Sequence, residues 1–576
     1  MAFLPEKLRL AVSRHRDPGG APDWVVLDLH GGYPAHAPGT AVQALLQRDE
    51  SFEALTERLE RLADADWLSG VLVRVGELRT GLSTARALGA ALGRLASKKH
   101  VVGYVPQVSM RSLLVTARLS EVVAPESAEV SLPGFAAEQV FLGAFLTRHG
   151  VTFENLRIRE YKSALTRFSE DHMDAYEREQ LTAYLSSAER AWLQAVADGA
   201  EPGSIFDAGL TSAADLLAAG LITTVAYDDD LVRVVDQPIA RSLELLLPPR
   251  PCPRAGTRPG SSRRSGARSR PRRRAGGVAV VPVIGAIVSG RSRPAPPLPL
   301  VSGPLAGANT VVATLRKADR DEQTAAIVLY VDSPGGSALA SDLIHRAVAR
   351  CRKPVVAVMG EVAASGGYYV LAGAGHVVAS PFTLTGSIGV VAGKPVLAAF
   401  NEKHGLNPET VGRDLALFNS PNRPFSEAER AWAERMMGQV YERFVDRVAA
   451  GRNMTPEEVD QIGRGRIWSG QDALERGLVD ELGDLHDGVA AARRLARLDE
   501  CAPVRHASLG FSLPGVPAFG HGAPGQGVLA QGGALAQGGA LAQGVLTQGP
   551  AALAEQVWPF GSETVLTWFD QAVRIR

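Results

Sequence analysis

Apolar, β-branched runs recur along this chain in two groups of three. The first group is WVVLDLH (24–30), SGVLVRVGE (69–77) and HVVGYVP (100–106). The second is VAVVPVIGAIV (278–288), AAIVLYVDS (325–333) and PVVAVMG (354–360). Most are apolar at successive positions rather than alternating, as in strands buried on both faces. Between them lie stretches with apolar residues at helical spacing, GLSTARALGAALGRLA (81–96) and LASDLIHRAVARC (339–351). Strands alternating with amphipathic helices predict α/β layers with mostly parallel pairing.

The two groups belong to a longer internal repeat. Lys99–Ser112 (KHVVGYVPQVSMRS) aligns with Lys353–Gly366 (KPVVAVMGEVAASG). After a one-residue shift, Gly143–Val151 (GAFLTRHGV) aligns with Ala398–Leu406 (AAFNEKHGL), and later Ser212–Ile222 with Ser469–Val479. Order and spacing hold across more than a hundred residues, which chance matches between apolar strands would not do. The chain therefore reads as a tandem duplication.

Two segments interrupt this pattern. Pro248–Gly277 holds ten arginines and no acidic residue among prolines and glycines. Such a composition repels itself and packs no core, so it reads as a linker, although an Arg-rich run also suits nucleic acid or anionic lipid. From about Ala507 to Ala551 the chain repeats GGALAQ-like units and reads as a low-complexity stretch. The last residues, VWPFGSETVLTWFDQAVRIR, are expected to form a short amphipathic helix. The resulting division is a first repeat over 1–247, a linker over 248–277, a second repeat over 278–500 and a tail over 501–576.

Composition narrows the function little. With 61 basic and 61 acidic residues the formal net charge is zero, which gives no global pull towards nucleic acid or an acidic partner. Cys252, Cys351 and Cys501 lie far apart, with neither metal-ligand spacing nor a disulfide framework. No apolar run is long enough for a signal-peptide core or a membrane span. A soluble chain is expected, cytoplasmic or peripheral at a membrane.

Candidate chemistry concentrates in small-residue turns of the second half. VDSPGGSA (331–338) ends a strand and precedes a helix, where paired glycines let backbone amides approach a developing oxyanion. In GEVAASGGYYVLAGA (360–374), Ser365 stands at the mouth of a predicted helix, directly before Gly366 and Gly367. A nucleophile at a strand-to-helix turn is exposed to substrate there, although GxSxG is absent and a helix N-cap explains the serine equally well. LTGSIGVV (384–391) is a third such turn. A serine nucleophile needs a base, and His345, His376 and His404 all look incidental. A lysine can serve if burial lowers its pKa from about 10.4 to near 7, at a cost of roughly 5 kcal/mol. Lys162, in LRIREYKSALTRF of the first half, is the candidate. Read locally, it is equally a surface lysine.

SPGGS, ASGGYY and TGSIG in this order, with YKSA upstream, resemble the signal peptide peptidase A (protease IV) family in its long, tandem form. The resemblance covers roughly residues 20–500 outside the Arg-rich segment. It implies duplicated Clp protease/crotonase-like domains and a serine endopeptidase that cleaves remnant signal peptides or other small or apolar peptides. Carried over position by position, it makes Ser365 the nucleophile and Lys162 the general base. Ser387 would orient the lysine, and the amides of Gly366 and Gly336 would form the oxyanion hole. It implies no metal or organic cofactor, and it implies a homo-oligomer, with a tetramer as first expectation.

The duplication bears on this assignment. Arg111 aligns with Ser365, Ser112 with Gly366, and GELRTG (76–81) with DSPGGS. The second half has VGRDLALF (411–418) near where YKSA would fall. Each repeat lacks what the other supplies, as one shared site would require. The chain is expected to lack the family's N-terminal anchor, and its linker and tail are also departures from the family pattern. These leave compartment and substrate open. An acyl-CoA enzyme of the crotonase type and a non-catalytic scaffold share the fold and are the alternatives.

Overall fold

The computed structural model describes residues 24–36, 49–66, 68–201, 205–228, 230–231, 239–240, 276–293, 304–507, 565–568 and 574–575. The Arg-rich stretch up to residue 275 and the Gly/Ala/Gln repeats after Ala507 lie outside these residues.

The apolar runs fold as parallel strands. In the first repeat, Ile239–Ala240, Trp24–Gly31, Gly70–Leu78, His100–Tyr104, Glu121–Ala124 and Thr224–Val225 lie side by side in that order. In the second, Val504–His506, Gly277–Ile284, Thr324–Ser333, Val355–Ala364, His376–Ala379 and Glu481–Leu482 follow the same order. The second sheet also carries Leu384–Gly386 and Ile467–Ser469 beside Val355–Ala364. Its central strands are buried along most of their length, with Val281, Ile327, Leu329 and Ala357 in one apolar core against Ile344 and Tyr369. This accounts for their unbroken hydrophobicity.

The repeat extends to detail. Helix Gly143–Arg148 matches Ala398–Lys403, and each is followed by a histidine whose Nδ1 lies 2.8 Å from a phenylalanine carbonyl four residues back. Helix Ala213–Ala218 matches Gly470–Glu475, and Gly220 and Gly477, just beyond them, share a left-handed φ of 71°. The second repeat's sheet runs on past the expected boundary at residue 500, because Val504–His506 pairs with Val278–Val280.

A third sheet joins the halves. Its order is Leu305–Gly307, Ala286–Val288, Gly335–Ser337, Val565–Trp568, Val390–Val396 and Thr152–Ile158. Thr152–Ile158 of the first repeat runs antiparallel to Val390–Val396 of the second, in unbroken register from Val390↔Ile158 to Val396↔Thr152. The C-terminal segment differs from the helix expected for it: Val565–Trp568 and Arg574–Ile575 are strands. The β-branched Val565 and Thr567 suit a strand, and backbone partners on both sides decide the outcome. Val565–Trp568 runs antiparallel to Gly335–Ser337 on one side and to Val391–Ala392 on the other.

Candidate active site

Ser365 follows strand Val355–Ala364 and precedes helix Gly366–Leu371. It is buried, with φ 55° and ψ −116°, and its side chain caps no helix amide. The N-cap explanation open from sequence therefore fails. A non-glycine residue at positive φ is strained, and strand-to-helix elbows hold a nucleophile in this way. In the first repeat the helix is capped two residues before the aligned Arg111, in the ordinary way: Ser109 has φ −134° and a capping box with Ser112. The Ser365 amide donates to Gly386 O at 2.8 Å, tying the elbow to the TGSIG turn.

The SPGGS turn packs against the same elbow. Ser333 pairs with Ala363, and Gly367 sits so close to Ser333 that a Cβ would lie 2.4 Å from its carbonyl oxygen. Gly336 has φ 152°, and a Cβ there would lie 2.1 Å from Ile287 O. Only glycine fits both conditions. Gly366 opens the helix at the elbow and is buried.

Lys162 arrives from the other repeat. Strand Thr152–Ile158 aligns on Val390–Val396, so the chain just beyond Ile158 meets the chain just before Val390. Lys162 Nζ lies 2.6 Å from Ser365 Oγ, 3.0 Å from Ser387 O and 2.9 Å from Ser387 Oγ. The lysine is 1% exposed, with no carboxylate among its hydrogen-bond partners. Burial alone holds its ammonium well below the ordinary lysine range. The surface-lysine explanation fails as well. The structure thus brings Ser365, Lys162 and Ser387 together within one chain, with Gly366 and Gly336 on the elements that frame them.

Three features, two around the lysine and one at the first repeat's turn, were not read from sequence. Gly465, at φ 83°, presses on it: a Cβ there would lie 2.6 Å from both the Lys162 nitrogen and its Cβ. Gln180 donates from Nε2 to Tyr161 O and Ser163 Oγ, and accepts from the Ile467 amide, clamping the YKSA loop to the second repeat. Glu361 closes the first repeat's counterpart of the SPGG turn. Its carboxylate accepts from the amides of Ser83 and Thr84 at 3.1 and 2.8 Å and from Thr84 Oγ1 at 2.7 Å. Arg111 Nε donates to Thr80 O beside it. The only sequence signal was the glycine of GRGRIW; Gln180 and Glu361 carried none.

The elbow, the glycine turn and the parallel sheets define a Clp protease-like α/β class, and a Clp protease family model matches residues 305–383. The chain belongs to peptidase family S49, whose model matches residues 94–237 and 347–499, once in each repeat. It is 30% identical over 459 residues to the chloroplastic serine protease SPPA of Arabidopsis thaliana, covering 78% of this chain and 66% of that protein. It is 31% identical over 389 residues to Protease 4 of Salmonella typhi, covering 65% and 60%. It is 33% identical over 196 residues to the putative signal peptide peptidase SppA of Enterococcus faecium, covering 33% and 57%. The matched region thus spans less than two thirds of each relative's length.

Proposed function

We propose that this chain is a serine endopeptidase in which Ser365 is the nucleophile and Lys162 the general base. The observation that carries the reading is the 2.6 Å approach of Lys162 Nζ to Ser365 Oγ in a buried site free of acidic partners. A neutral amine has two N–H bonds and one lone pair. Ser387 O and Oγ are placed to accept the two hydrogens, which aims the lone pair at the Ser365 hydroxyl. Lys162 takes that proton as Ser365 Oγ attacks the scissile carbonyl. The amides of Gly366 and Gly336 are assigned the developing oxyanion, and Lys162 then protonates the leaving amine. Water, activated by the same lysine, releases the acyl group.

Peptide binds in this reading by adding a strand between Gly335–Ser337 and Val390–Val396. The C-terminal strand Val565–Trp568 takes that place, which supports an extended peptide as the ligand and makes the tail its competitor. Small or apolar peptides, including signal-peptide remnants, are the proposed substrates; the name of the putative signal peptide peptidase SppA of Enterococcus faecium supports this. Among the described residues no helix is long and apolar enough to cross a membrane, and peripheral attachment is part of the proposal only through the peptides cleaved.

Self-association is proposed on the same repeat logic. Residues 407–413 correspond to Thr152–Ile158, the strand that joins the halves, yet they are exposed and pair with no strand among the described residues. Val411 there is 99% exposed. Offered to the next copy, this segment gives a head-to-tail contact that closes as a ring, four copies being the family's implied number.

The test is acyl-enzyme trapping. The wild type, mixed with an activated peptide ester and quenched in acid, should carry one acyl group on the fragment containing Ser365. Ser365→Ala should carry none. Acyl label elsewhere, or equal label in the variant, would reject the assignment.

A further inference from the structure

Away from the dyad, the far edge of the second sheet meets the start of the first repeat. His506 ends the edge strand Val504–His506, separated from the nucleophile's strand by Gly277–Ile284 and Thr324–Ser333. His36 follows the first strand of the first repeat, and Glu53 lies in the opening turn of helix Phe52–Ala63. His506 Nδ1 is 3.2 Å from His36 Nδ1, and His506 Nε2 is 3.0 Å from Glu53 Oε1. One ring nitrogen of each histidine and one carboxylate oxygen lie within 4.8 Å of one another.

We propose that His36, Glu53 and His506 bind one divalent transition-metal cation, zinc by ligand type, which joins the first repeat to the closing strand of the second. Bonds of about 2.0–2.2 Å in a tetrahedral shell set ligand atoms roughly 3.3–3.6 Å apart, and the cluster's atoms already lie within 4.8 Å, so binding draws them closer together. Two imidazoles and one carboxylate are a zinc donor set that leaves a fourth position for water.

A second observation points the same way. His36 Nε2 is buried with no hydrogen-bond partner among the described residues. In a metal-free chain of hydrogen bonds, His506 donates from Nε2 to Glu53 and accepts from His36 at Nδ1. That arrangement strands the lone pair of His36 Nε2 away from any donor, a costly state in a protein interior. The ring is also fixed edge-on against Tyr330 of the second repeat, at 4.9 Å between centroids, so it has little freedom to turn away.

The test uses the full chain with its thiols alkylated and its metals removed by chelation. Zinc is titrated in competition with a chromophoric chelator, and thermal unfolding is followed with and without zinc. The wild type should take up one zinc per chain with submicromolar dissociation constant and unfold several degrees higher with zinc, by mass action. Glu53→Gln preserves size, and His506→Asn preserves a polar side chain. Each should weaken zinc by more than the roughly 10- to 100-fold that loss of an outer-shell partner costs, and each should lose the thermal shift. Metal-free unfolding midpoints near that of the metal-free wild type show that the variants fold. No stoichiometric zinc in the wild type, or equal zinc affinity in folded Glu53→Gln, would overturn the proposal.

Discussion

Lys162 shows why a residue can be located by sequence while its state cannot. The YKSA motif marked the position, but only the fold shows a lysine sealed from water and held by Ser387 and Ser365. The unfolded chain binds a proton there up to a pH of about 10.4. The native chain releases it well below that value, so the unfolded state holds one more proton across the window between the two. Stability therefore rises with pH through that window. Lys162→Met removes this proton uptake. We expect the variant to be at least as stable as the wild type at pH 7, with its advantage shrinking towards pH 10, while peptide hydrolysis is lost. Urea midpoints of both proteins at pH 7 and pH 9.5 check this. Ser365 was equally ambiguous as a letter in the chain: its backbone at φ 55° separates an elbow from a cap, and a sequence does not print φ.

At the scale of elements, the site depends on how two turns press together. Gly465 and Gly405 are both left-handed glycines, at φ 83° and 68°. Around Gly405 nothing lies within 4 Å of an added Cβ, whereas at Gly465 the Cβ would meet Lys162 at 2.6 Å. Gly405→Ala should cost about 1 kcal/mol of stability and leave turnover unchanged. Gly465→Ala should also lower kcat by roughly 100-fold, because displacing a catalytic group by about 1 Å has that effect. Steady-state kinetics beside denaturant unfolding separate the two. The strands and helices of each repeat were readable from apolar runs and helical spacing, since their burial follows from their own residues. The third sheet was not, because Thr152–Ile158 (TFENLRI) and Gly335–Ser337 carry weak strand signals and pair only with distant partners. The C-terminal segment was misread for the same reason: its strand exists through the two edges it joins.

At the scale of the molecule, duplication with divided labour explains the architecture. The first repeat has spent its own turn on structure, with Glu361 of the second repeat occupying the amides of Ser83 and Thr84. The second repeat keeps the elbow and takes its lysine from the first. Strand Val565–Trp568 then lies where the proposed peptide would bind. A chain ending at Gly561 lacks the strand Val565–Trp568, and its kcat/KM for a fluorogenic peptide should rise several-fold. A synthetic peptide of residues 562–570 should restore inhibition competitively. Unchanged kinetics on truncation would remove the tail from the groove.

The central claim is that one chain supplies both halves of a single dyad, at 2.6 Å. It is tested most directly by fluorogenic peptide hydrolysis with Ser365→Ala, Lys162→Ala and an equimolar mixture of the two, co-refolded so that copies exchange. Each variant alone should fall by roughly 1,000-fold or more, and the mixture should stay as inactive as its parts. Full activity in either variant, or recovery of a substantial share of wild-type turnover in the mixture, would contradict the account.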